Sequence, residues 1–467
     1  MNLPAYPKYK PSGVEWLGDI AYDWTVRSIK HLVSTPVTDG PHETPEIFDE
    51  GIPFVSAEAV SGGRINFEKI RGHITAEDHK RFSRKYKPQR GDIYLIKSGA
   101  TTGRVAMVET DIEFNIWSPL AAIRCEPNMA DQQFLFFYLQ SKEFQTAVEL
   151  SWSFGTQQNI GMGVIQNLAV PLPTLTEQRA IAAFLDRETG RVDRLVAKKR
   201  ELIERLKEKR TALISRAVTR GLPAEAAAKA NLTANPRLKP TGIDWLGDIP
   251  KHWEVKRLKF TIKERLQYGA NESSEIDDPD LPRYVRITDI DDKGKLRPET
   301  FRSLPVVIAR EYYLEDGDVL FARSGATSGK TFLYRLEWGT CAYAGYLIRA
   351  RLNQKKIAPQ FLRHFTDSVN YWQWLSSSLI QATIQNVSAE KYSDLALPLP
   401  PLPEQTAIAA YLGEETAKLD SLMAKVEEAV ERLQEYRTAL VTAAVTGKID
   451  VRSHFSTTAK HLHAAAE

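Results

Sequence analysis

The sequence predicts an α+β fold: two mixed α/β globular domains separated by two long helices that form an antiparallel coiled coil, arranged as a pseudo-two-fold tandem repeat. Three observations predict it. The chain repeats itself at a nearly constant offset. Each copy has a region rich in Gly, Pro and short β-branched runs, and each copy closes with a long segment nearly free of Gly and Pro.

Four matching segments establish the repeat. Members of each pair lie 226 to 229 residues apart. The pairs are 10–20 with 239–249, 91–103 with 317–329, 168–178 with 395–405, and 210–213 with 437–440. A chain that holds two copies of one module is expected to hold two copies of one kind of site.

Composition places the chain among ordinary globular proteins, with 43% hydrophobic and 26% charged residues among 467. A net charge of +3 permits nucleic-acid binding only through a local basic patch. The sequence has no apolar run of membrane-spanning length, and Met1–Pro4 begins no signal peptide. Cys125 and Cys341 are not equivalent in the repeat, which excludes a disulfide common to both copies and favours the cytoplasm.

The expected boundaries follow from these shifts in composition. They are a first globular domain at 1–173, a helix at 174–221, a linker at 222–238, a second globular domain at 239–400, a second helix at 401–448 and a disordered tail at 449–467. Short strands are expected at Asp92–Ile96 and Asp318–Phe321, because each run is β-branched or aromatic and follows a Gly.

Prolines followed by an acidic first turn mark the start of each long helix. A heptad spacing then predicts a coiled-coil seam, which Lys199 and Lys209 interrupt in the first helix. The principal seam residues are Leu185, Val192, Leu206 and Leu213 in the first helix, and Leu412, Leu419, Val426, Leu433 and Leu440 in the second. The accompanying positions are Leu195 and Leu202 in the first, and Leu422, Ala429, Tyr436 and Ala443 in the second.

Charge favours pairing of the two helices with each other. Residues 174–220 hold 13 Lys and Arg against 7 Asp and Glu, whereas residues 401–447 hold 4 against 8. The alternative is that each set of charges is only a solvated face. Helices of this length would each run roughly 65 Å, so the expected shape is two heads on a bar, suited to measuring a distance along DNA.

A Gly-rich segment follows a predicted strand in both copies. The segment 324–331 resembles a nucleotide phosphate-binding loop, but its glycine spacing is wrong and its partner has Arg104 in place of the lysine. Two interpretations stay open: a turn that holds a DNA phosphate, or a turn kept for folding. The candidate phosphate-binding residues are Lys97, Ser98, Thr101, Arg104, Arg323, Ser324, Thr327 and Lys330.

A second repeated polar segment is 155–160, matched by 382–387. Gln and Asn can bind adenine in the major groove. Because Gln158-Asn159 is identical in the two copies, however, a structural cap or a backbone contact is favoured over base reading. The repeated tryptophans, Trp16 with Trp245 and Trp24 with Trp253, are expected to be core anchors and not base-stacking residues.

No catalytic constellation stands out. The sequence lacks an Asn-Pro-Pro-aromatic methyltransferase segment, a His/Cys cluster with metal spacing and a nuclease signature. The chain is therefore predicted to perform no chemistry itself and to bind no metal.

The repeated Trp-Leu-Gly-Asp-Ile openings and the segments 170–182 and 397–409, which share Pro-Leu-Pro and Glu-Gln-x-x-Ile-Ala, resemble the specificity subunits of type I restriction–modification systems. The resemblance covers nearly the whole chain. It implies two target recognition domains, each reading one half of a bipartite DNA target, with the helices setting the unread gap.

The same resemblance implies partners for the chain: two modification (methyltransferase) subunits and restriction (motor-nuclease) subunits, acting on double-stranded DNA. S-adenosylmethionine, ATP and Mg²⁺ are then cofactors of those subunits and not of this chain. Two rival interpretations are a stand-alone bipartite DNA-binding regulator and a coiled-coil scaffold for proteins.

Between the repeated segments, residues 31–90 and 260–316 have little in common, which predicts two different half-sites and an asymmetric target. Basic residues in these stretches are either base contacts or ordinary surface charges. They are Arg64, Arg71, His73, Lys80, Arg81 and Arg84 in the first copy, and Arg283, Arg286, Lys293, Lys295 and Arg297 in the second.

Overall fold

The computed structural model describes residues 3–152, 158–273, 275–291, 294–379 and 386–452. Contacts divide these residues into two compact units. Unit 1 contains the described residues up to Arg200 and those from Glu428 onward, and unit 2 is Glu201–Glu427. Each unit therefore holds one globular region together with a part of both long helices, a division that differs from the one expected from composition.

The globular region of unit 1 is built on a six-stranded sheet in the order β4-β12-β9-β10-β7-β6, with a three-stranded sheet β11-β5-β8 beside it. Its strands are β1 (Tyr9–Pro11), β2 (Asp19–Ala21), β3 (Thr25–Ser28), β4 (Thr38–Asp39), β5 (Ile52–Val55), β6 (Val60–Ser61), β7 (Arg64–Ile65), β8 (Gly72–Ile74), β9 (Ile93–Ile96), β10 (Val105–Met107), β11 (Asn115–Ile116), β12 (Leu120–Ile123) and β13 (Ala169–Leu172). Its helices are α1 (Ala76–Phe82), α2 (Gln132–Leu139), α3 (Lys142–Leu150) and α4 (Met162–Asn167).

The globular region of unit 2 keeps the central strands but has a four-stranded sheet, β17-β22-β19-β20. The long helix α5 (Leu175–Arg220) and the short α6 (Ala224–Lys229) precede it. Its strands are β14 (Leu238–Pro240), β15 (Asp248–Pro250), β16 (Glu254–Arg257), β17 (Gln267–Tyr268), β18 (Arg283–Val285), β19 (Val319–Ala322), β20 (Thr331–Leu333), β21 (Cys341–Tyr343), β22 (Leu347–Ala350) and β23 (Ala396–Leu399). Its helices are α7 (Val306–Ala309), α8 (Pro359–Phe365), α9 (Val369–Leu379) and α10 (Ala389–Ser393), followed by the long helix α11 (Leu402–Val445).

The repeat is visible in the strand register. Antiparallel β9 and β12 place Leu95 opposite Ala121, and antiparallel β19 and β22 place Phe321 opposite Ile348. All four residues of β9 and of β19 are buried, as the short apolar runs predicted. The expected α+β fold with two repeated globular regions and two long helices is confirmed.

The predicted core role of the tryptophans is also confirmed. Trp24 and Trp253 are almost fully buried, each in the principal core of its unit. Trp16 and Trp245 are partly buried against the same two cores. The core of unit 1 also takes in Val451, so the prediction of a disordered tail is wrong for Ile449–Arg452.

One half of the predicted seam needs correction. The principal seam positions of α5 and α11 are buried or half-buried, but Leu195, Leu202, Leu422 and Tyr436 are exposed. The buried accompanying positions lie one residue later, so that α11 buries Leu412, Thr416, Leu419, Val426, Val430 and Leu440, with Met423, Leu433 and Arg437 half-buried between them. Apolar residues spaced three or four apart both form a stripe on one face of a helix. The spacing along the sequence therefore did not show which of two neighbouring positions is buried.

Each unit brings the two long helices together in opposite chain directions. In unit 1 Val192 and Val196 pack with Val430, and Arg437 pairs with Asp193 (Nε–Oδ1 3.0 Å). In unit 2 the equivalent pair joins Arg210 to Asp420 (Nε–Oδ1 3.0 Å). The arginine comes from α11 in the first pair and from α5 in the second, so the opposite net charges of the helices agree with the second contact and not with the first.

Candidate nucleic-acid interface

The repeated Gly-rich segment is a tight turn between two antiparallel strands. In unit 1 it joins β9 to β10, with Gly99 and Gly103 at φ of 99° and 94°, in the left-handed region that favours glycine. The Gly103 N–H donates to the Ile96 carbonyl (2.8 Å). Gln145 Nε2 of α3 donates to the Gly103 carbonyl (2.8 Å), and the positive φ of Gly103 makes any other residue strained there.

The equivalent turn of unit 2 joins β19 to β20 and contains a short 3-10 helix at Gly325–Thr327. A Cβ at Gly329 would lie 2.1 Å from Leu375 Cδ2, and the Tyr371 hydroxyl donates to the Gly329 carbonyl (2.7 Å). The turn is therefore anchored to a neighbouring helix in both copies, α3 in unit 1 and α9 in unit 2.

The two repeated polar segments, which the sequence presented separately, lie side by side. Ser98 forms an antiparallel bridge with Asn159, and Ser324 forms one with Asn386. The Ile160 N–H donates to the Lys97 carbonyl (2.8 Å). These bridges are backbone contacts of the kind expected for the two asparagines, while residues 155–157 and 382–385 of the two segments lie outside the described residues.

Lys97 has a carboxylate partner inside unit 1. Its Nζ lies 3.2 Å from Asp39 Oδ2, and its side chain is only 12% exposed. Asp39 also accepts from Lys85 Nζ (2.5 Å). Burial raises the pKa of Asp39, but the hydrogen bonds from Lys85 and Lys97 outweigh it and hold that pKa below its usual value. Lys97 is therefore mostly buried and bound to a carboxylate that it shares with the more exposed Lys85.

Arg323 occupies the position of Lys97 in unit 2, but its surroundings differ. Strand pairing puts Asp39 opposite Ala121 and Tyr268 opposite Ile348, so Tyr268 stands where unit 1 has the carboxylate. The guanidinium of Arg323 lies 4.8 Å from the Tyr268 ring centroid, and its Nε donates to Asn386 Oδ1 (3.4 Å). Stacking orients the cation without cancelling its charge.

The other turn candidates divide by exposure. Arg104 and Lys330 are exposed at equivalent positions, where each follows the second glycine of its turn. Ser98, Thr101, Ser324 and Thr327 are half-buried on the same turns. Each unit thus gathers hydroxyl groups, backbone N–H groups and one exposed cation on one turn, which are the groups that contact phosphate oxygens.

The base-reading candidates of unit 1 are spread over its divergent part. Arg64 pairs with Glu109 (3.2 Å), and Arg81 pairs with Glu43 (2.8 Å) and with Asp78. Arg71 lies 4.1 Å above the Trp117 ring. Lys80 and Arg84 are exposed at and just after the end of α1, and His73 is half-buried in β8.

The candidates of unit 2 are more strongly tied into the protein. Arg286 is held by the buried Asp289 (Nη2–Oδ1 2.7 Å), and Arg283 donates to the Arg297 carbonyl (2.6 Å). Lys295 and Arg297 are exposed. Lys293 lies outside the described residues.

Sequence reasoning missed a pair of buried ion pairs beneath the turns. Asp92 accepts from Arg124 (Nε 2.7 Å), and its counterpart Asp318 accepts from Arg351 (Nη2 3.0 Å). The repeated Gly-Asp before each central strand was the available signal. These pairs fix the base of the hairpin that carries each turn.

No group of three or more His, Cys, Asp or Glu with metal-binding geometry occurs among the residues that the structure describes. Within the same residues, no helix is long and apolar enough to cross a membrane. Burial raises the pKa of both Cys125 and Cys341 to about 12, which keeps these thiols protonated near neutral pH and unsuited to nucleophilic attack.

Comparison with known proteins identifies the repeat. The family described as the type I restriction modification DNA specificity domain matches twice, at residues 22–205 and 250–432. The type I restriction enzyme MjaVIII specificity subunit of Methanocaldococcus jannaschii is 24% identical over 407 residues, which cover 83% of this chain and 86% of that protein. The type I restriction enzyme StySPI specificity subunit of Salmonella potsdam is 22% identical over 408 residues, covering 86% and 83%.

A solved structure shares the fold. One chain of a structure described as the basis of complex assembly and conformational transition of the type I R-M system aligns with a TM-score of 0.66 at 19% identity. The alignment covers 92% of this chain and 99% of that one. The two family matches coincide with the two copies of the repeat.

Proposed function

The chain belongs to the family of the type I restriction modification DNA specificity domain, and from this we propose that it is the specificity subunit of a type I restriction–modification complex. Each globular region reads one half of a bipartite DNA target. The chain itself is not catalytic. It directs methylation and cleavage by partner subunits.

The observation that supports this proposal is that the two units share one central frame but differ in the parts that surround it. Both units have the same buried central strands, the same anchored turn and the same Asp–Arg pair beneath it. Around that frame the elements correspond, β5 with β18 and α1 with α7, but they differ in length and pairing. The seven-residue α1 stands where unit 2 has the four-residue α7, and the paired strands β6 and β7 stand where unit 2 has a single bridge between Ile290 and Leu296. Two different surfaces on one frame suit two different half-sites, hence an asymmetric target.

The partners follow from the family. We propose two modification subunits that methylate adenine with S-adenosylmethionine, and restriction subunits that use ATP and Mg²⁺, with double-stranded DNA as the common substrate. The named relatives are specificity subunits of type I restriction enzymes, which supports this assembly. No cofactor is assigned to this chain, and we expect it to act in the cytoplasm.

Within each globular region, we assign phosphate contact to the anchored turn. The exposed Arg104 and Lys330 and the stacked Arg323 supply positive charge there, whereas Lys97 is mostly buried and bound to Asp39. Backbone phosphates are the same in every sequence, which agrees with the retention of this turn in both copies.

The decisive experiment is a genome-wide map of methylated adenine in the native host with and without this gene. We expect one asymmetric, gapped motif to disappear when the gene is deleted and to return when it is restored. A methylation pattern that is unchanged in a strain whose modification subunit is active would contradict the proposal.

A further inference from the structure

Each unit carries a second cluster of positive charge, centred on the strand that pairs with the one before its long helix, β3 in unit 1 and β16 in unit 2. In unit 2 it lines a groove of about 640 Å³, whose six lining residues include four cations. They are Val255, Lys256, Arg257, Lys259, Phe260 and Lys356. Phe260 is 55% exposed, so an aromatic ring lies open among the cations.

Carboxylates neutralise only part of this charge. Asp394 Oδ1 accepts from both Arg257 Nη1 (3.2 Å) and Lys259 Nζ (2.8 Å). Glu254 pairs with Lys256 (2.6 Å). Two carboxylates against four cations leave the groove with a net charge of +2.

Unit 1 keeps the same net charge with different residues. Strand pairing equates Arg27, opposite Val170, with Lys256, opposite Leu397. Lys30 is the counterpart of Lys259, and its Nζ donates to Asn167 Oδ1 (2.9 Å) where unit 2 has Asp394. Thr25 stands in place of Glu254. Here two cations meet no carboxylate at the equivalent positions, so the net charge is again +2.

A short helix connects this cluster to the anchored turn in both units. In unit 1 the Ile160 N–H binds the turn, α4 follows, and its last residue, Asn167, holds Lys30. In unit 2 the Val387 N–H donates to the Arg323 carbonyl (2.8 Å), α10 follows, and Asp394 next to its end holds Lys259. Helices of five and six residues are about 7.5 and 9 Å long.

We propose that these clusters form a second phosphate-binding site on each unit, contacting the backbone of the DNA strand that the anchored turn also contacts. This inference rests on the proposed function and extends it. Because the connecting helices are short, the two sites would lie close enough to contact the same strand. A surface that has the same charge in two copies with unlike reading surfaces fits a ligand that is the same at both half-sites, which the phosphodiester backbone is.

The test uses the full chain assembled with its modification subunits and a mixed-sequence DNA duplex as probe, titrated over a range of salt. In the double variant Arg27→Gln/Lys30→Gln, the slope of log affinity against log salt should fall by about 1.8, at about 0.9 for each lost phosphate contact. The matched control Lys8→Gln/Lys142→Gln removes two exposed charges from the same unit outside the cluster and should leave the slope near the wild-type value.

For a second variant we expect DNA affinity to change in the opposite direction. Asp394→Asn gives unit 2 the arrangement that unit 1 already has at Asn167, and it should tighten non-specific binding because one carboxylate leaves the groove. The methylated motif should stay the same in every variant, because phosphate contacts carry no base sequence.

The inference is overturned by a salt slope that Arg27→Gln/Lys30→Gln leaves unchanged, or that the control lowers equally. Loss of assembly with the modification subunits at an unchanged slope would identify the cluster as a protein contact and also overturn it. Failure of the proposed function would show itself separately, as a wild-type complex that methylates no gapped motif.

Discussion

At the scale of single residues, one buried ion pair supports the central hairpin of each unit. Asp92 and Asp318 are almost fully buried, and each is satisfied by an arginine from the neighbouring strand segment, Arg124 or Arg351. Asp92 also accepts from the Tyr86 hydroxyl (2.5 Å). A buried carboxylate of this kind depends on its partner, because an unpaired charge in the interior is costly.

We therefore expect Arg124→Ala to destabilise unit 1 by about 3–5 kcal/mol, since it leaves Asp92 buried and unpaired. Unfolding by urea, followed by a probe within unit 1, would measure the loss. Arg84→Ala, at an exposed position of the same unit, should change stability by no more than about 0.5 kcal/mol. Equal effects of the two substitutions would contradict this account of the pair.

The turn cations provide a second prediction at this scale. Arg104→Glu and Arg323→Glu should weaken binding to all DNA sequences about equally, because both side chains are proposed to contact phosphate. Lys97→Gln should have a smaller effect, since that side chain is only 12% exposed and is bound to Asp39. Affinities for duplexes of several sequences would test both statements, and a shift in sequence preference would argue against a phosphate role.

At the scale of elements, a polar residue interrupts the apolar seam on each long helix. Arg210 and Arg437 occupy equivalent seam positions, and each reaches across to an aspartate of the other helix within its own unit. A polar residue in a coiled-coil seam costs stability but fixes the alignment of the helices. The alignment bears on function, because the proposed gap between half-sites depends on it.

A double-mutant cycle should detect this pairing. Arg210→Asp and Asp420→Arg should each lower the stability of unit 2, and the double variant should recover about 0.5–1 kcal/mol relative to additivity, the range for partly exposed pairs. Thermal unfolding of the four proteins gives the coupling. The same cycle at Lys418 and Glu414, an exposed pair within one helix turn, should give a smaller coupling. Strict additivity at Arg210 and Asp420 would show that the contact does not specify alignment.

At the scale of the whole molecule, function is expected to be modular. Replacement of residues 1–173 by the corresponding region of another family member should change one half of the methylated motif and leave the other half and the gap intact. Methylation mapping in cells that carry the hybrid would show this. A change in both halves would mean that the two regions do not read DNA independently.

The features that depend on short-range order and on repetition could be predicted from the sequence. The helix spans, the buried central strands, the buried Trp24 and Trp253 and the Gly-rich turns all follow from spacing along the chain or from the match between its two copies. Periodicity and local conformational preference act over a few residues, so they can be read without the fold.

Only the tertiary structure shows which side chains that are distant in sequence contact each other. The contacts of Lys97 with Asp39 and of Arg323 with Tyr268 could not be predicted from the sequence, because those partners lie on divergent strands with no repeated signal. Asn159 meets Ser98 across 61 residues of chain, and Val451 packs into the core at the other end of the sequence. Likewise, only the packing shows that Met423, and not Leu422, lies in the seam. Contacts between residues distant in sequence depend on how the elements fold against one another, and the spacing of residues along one segment does not contain that information.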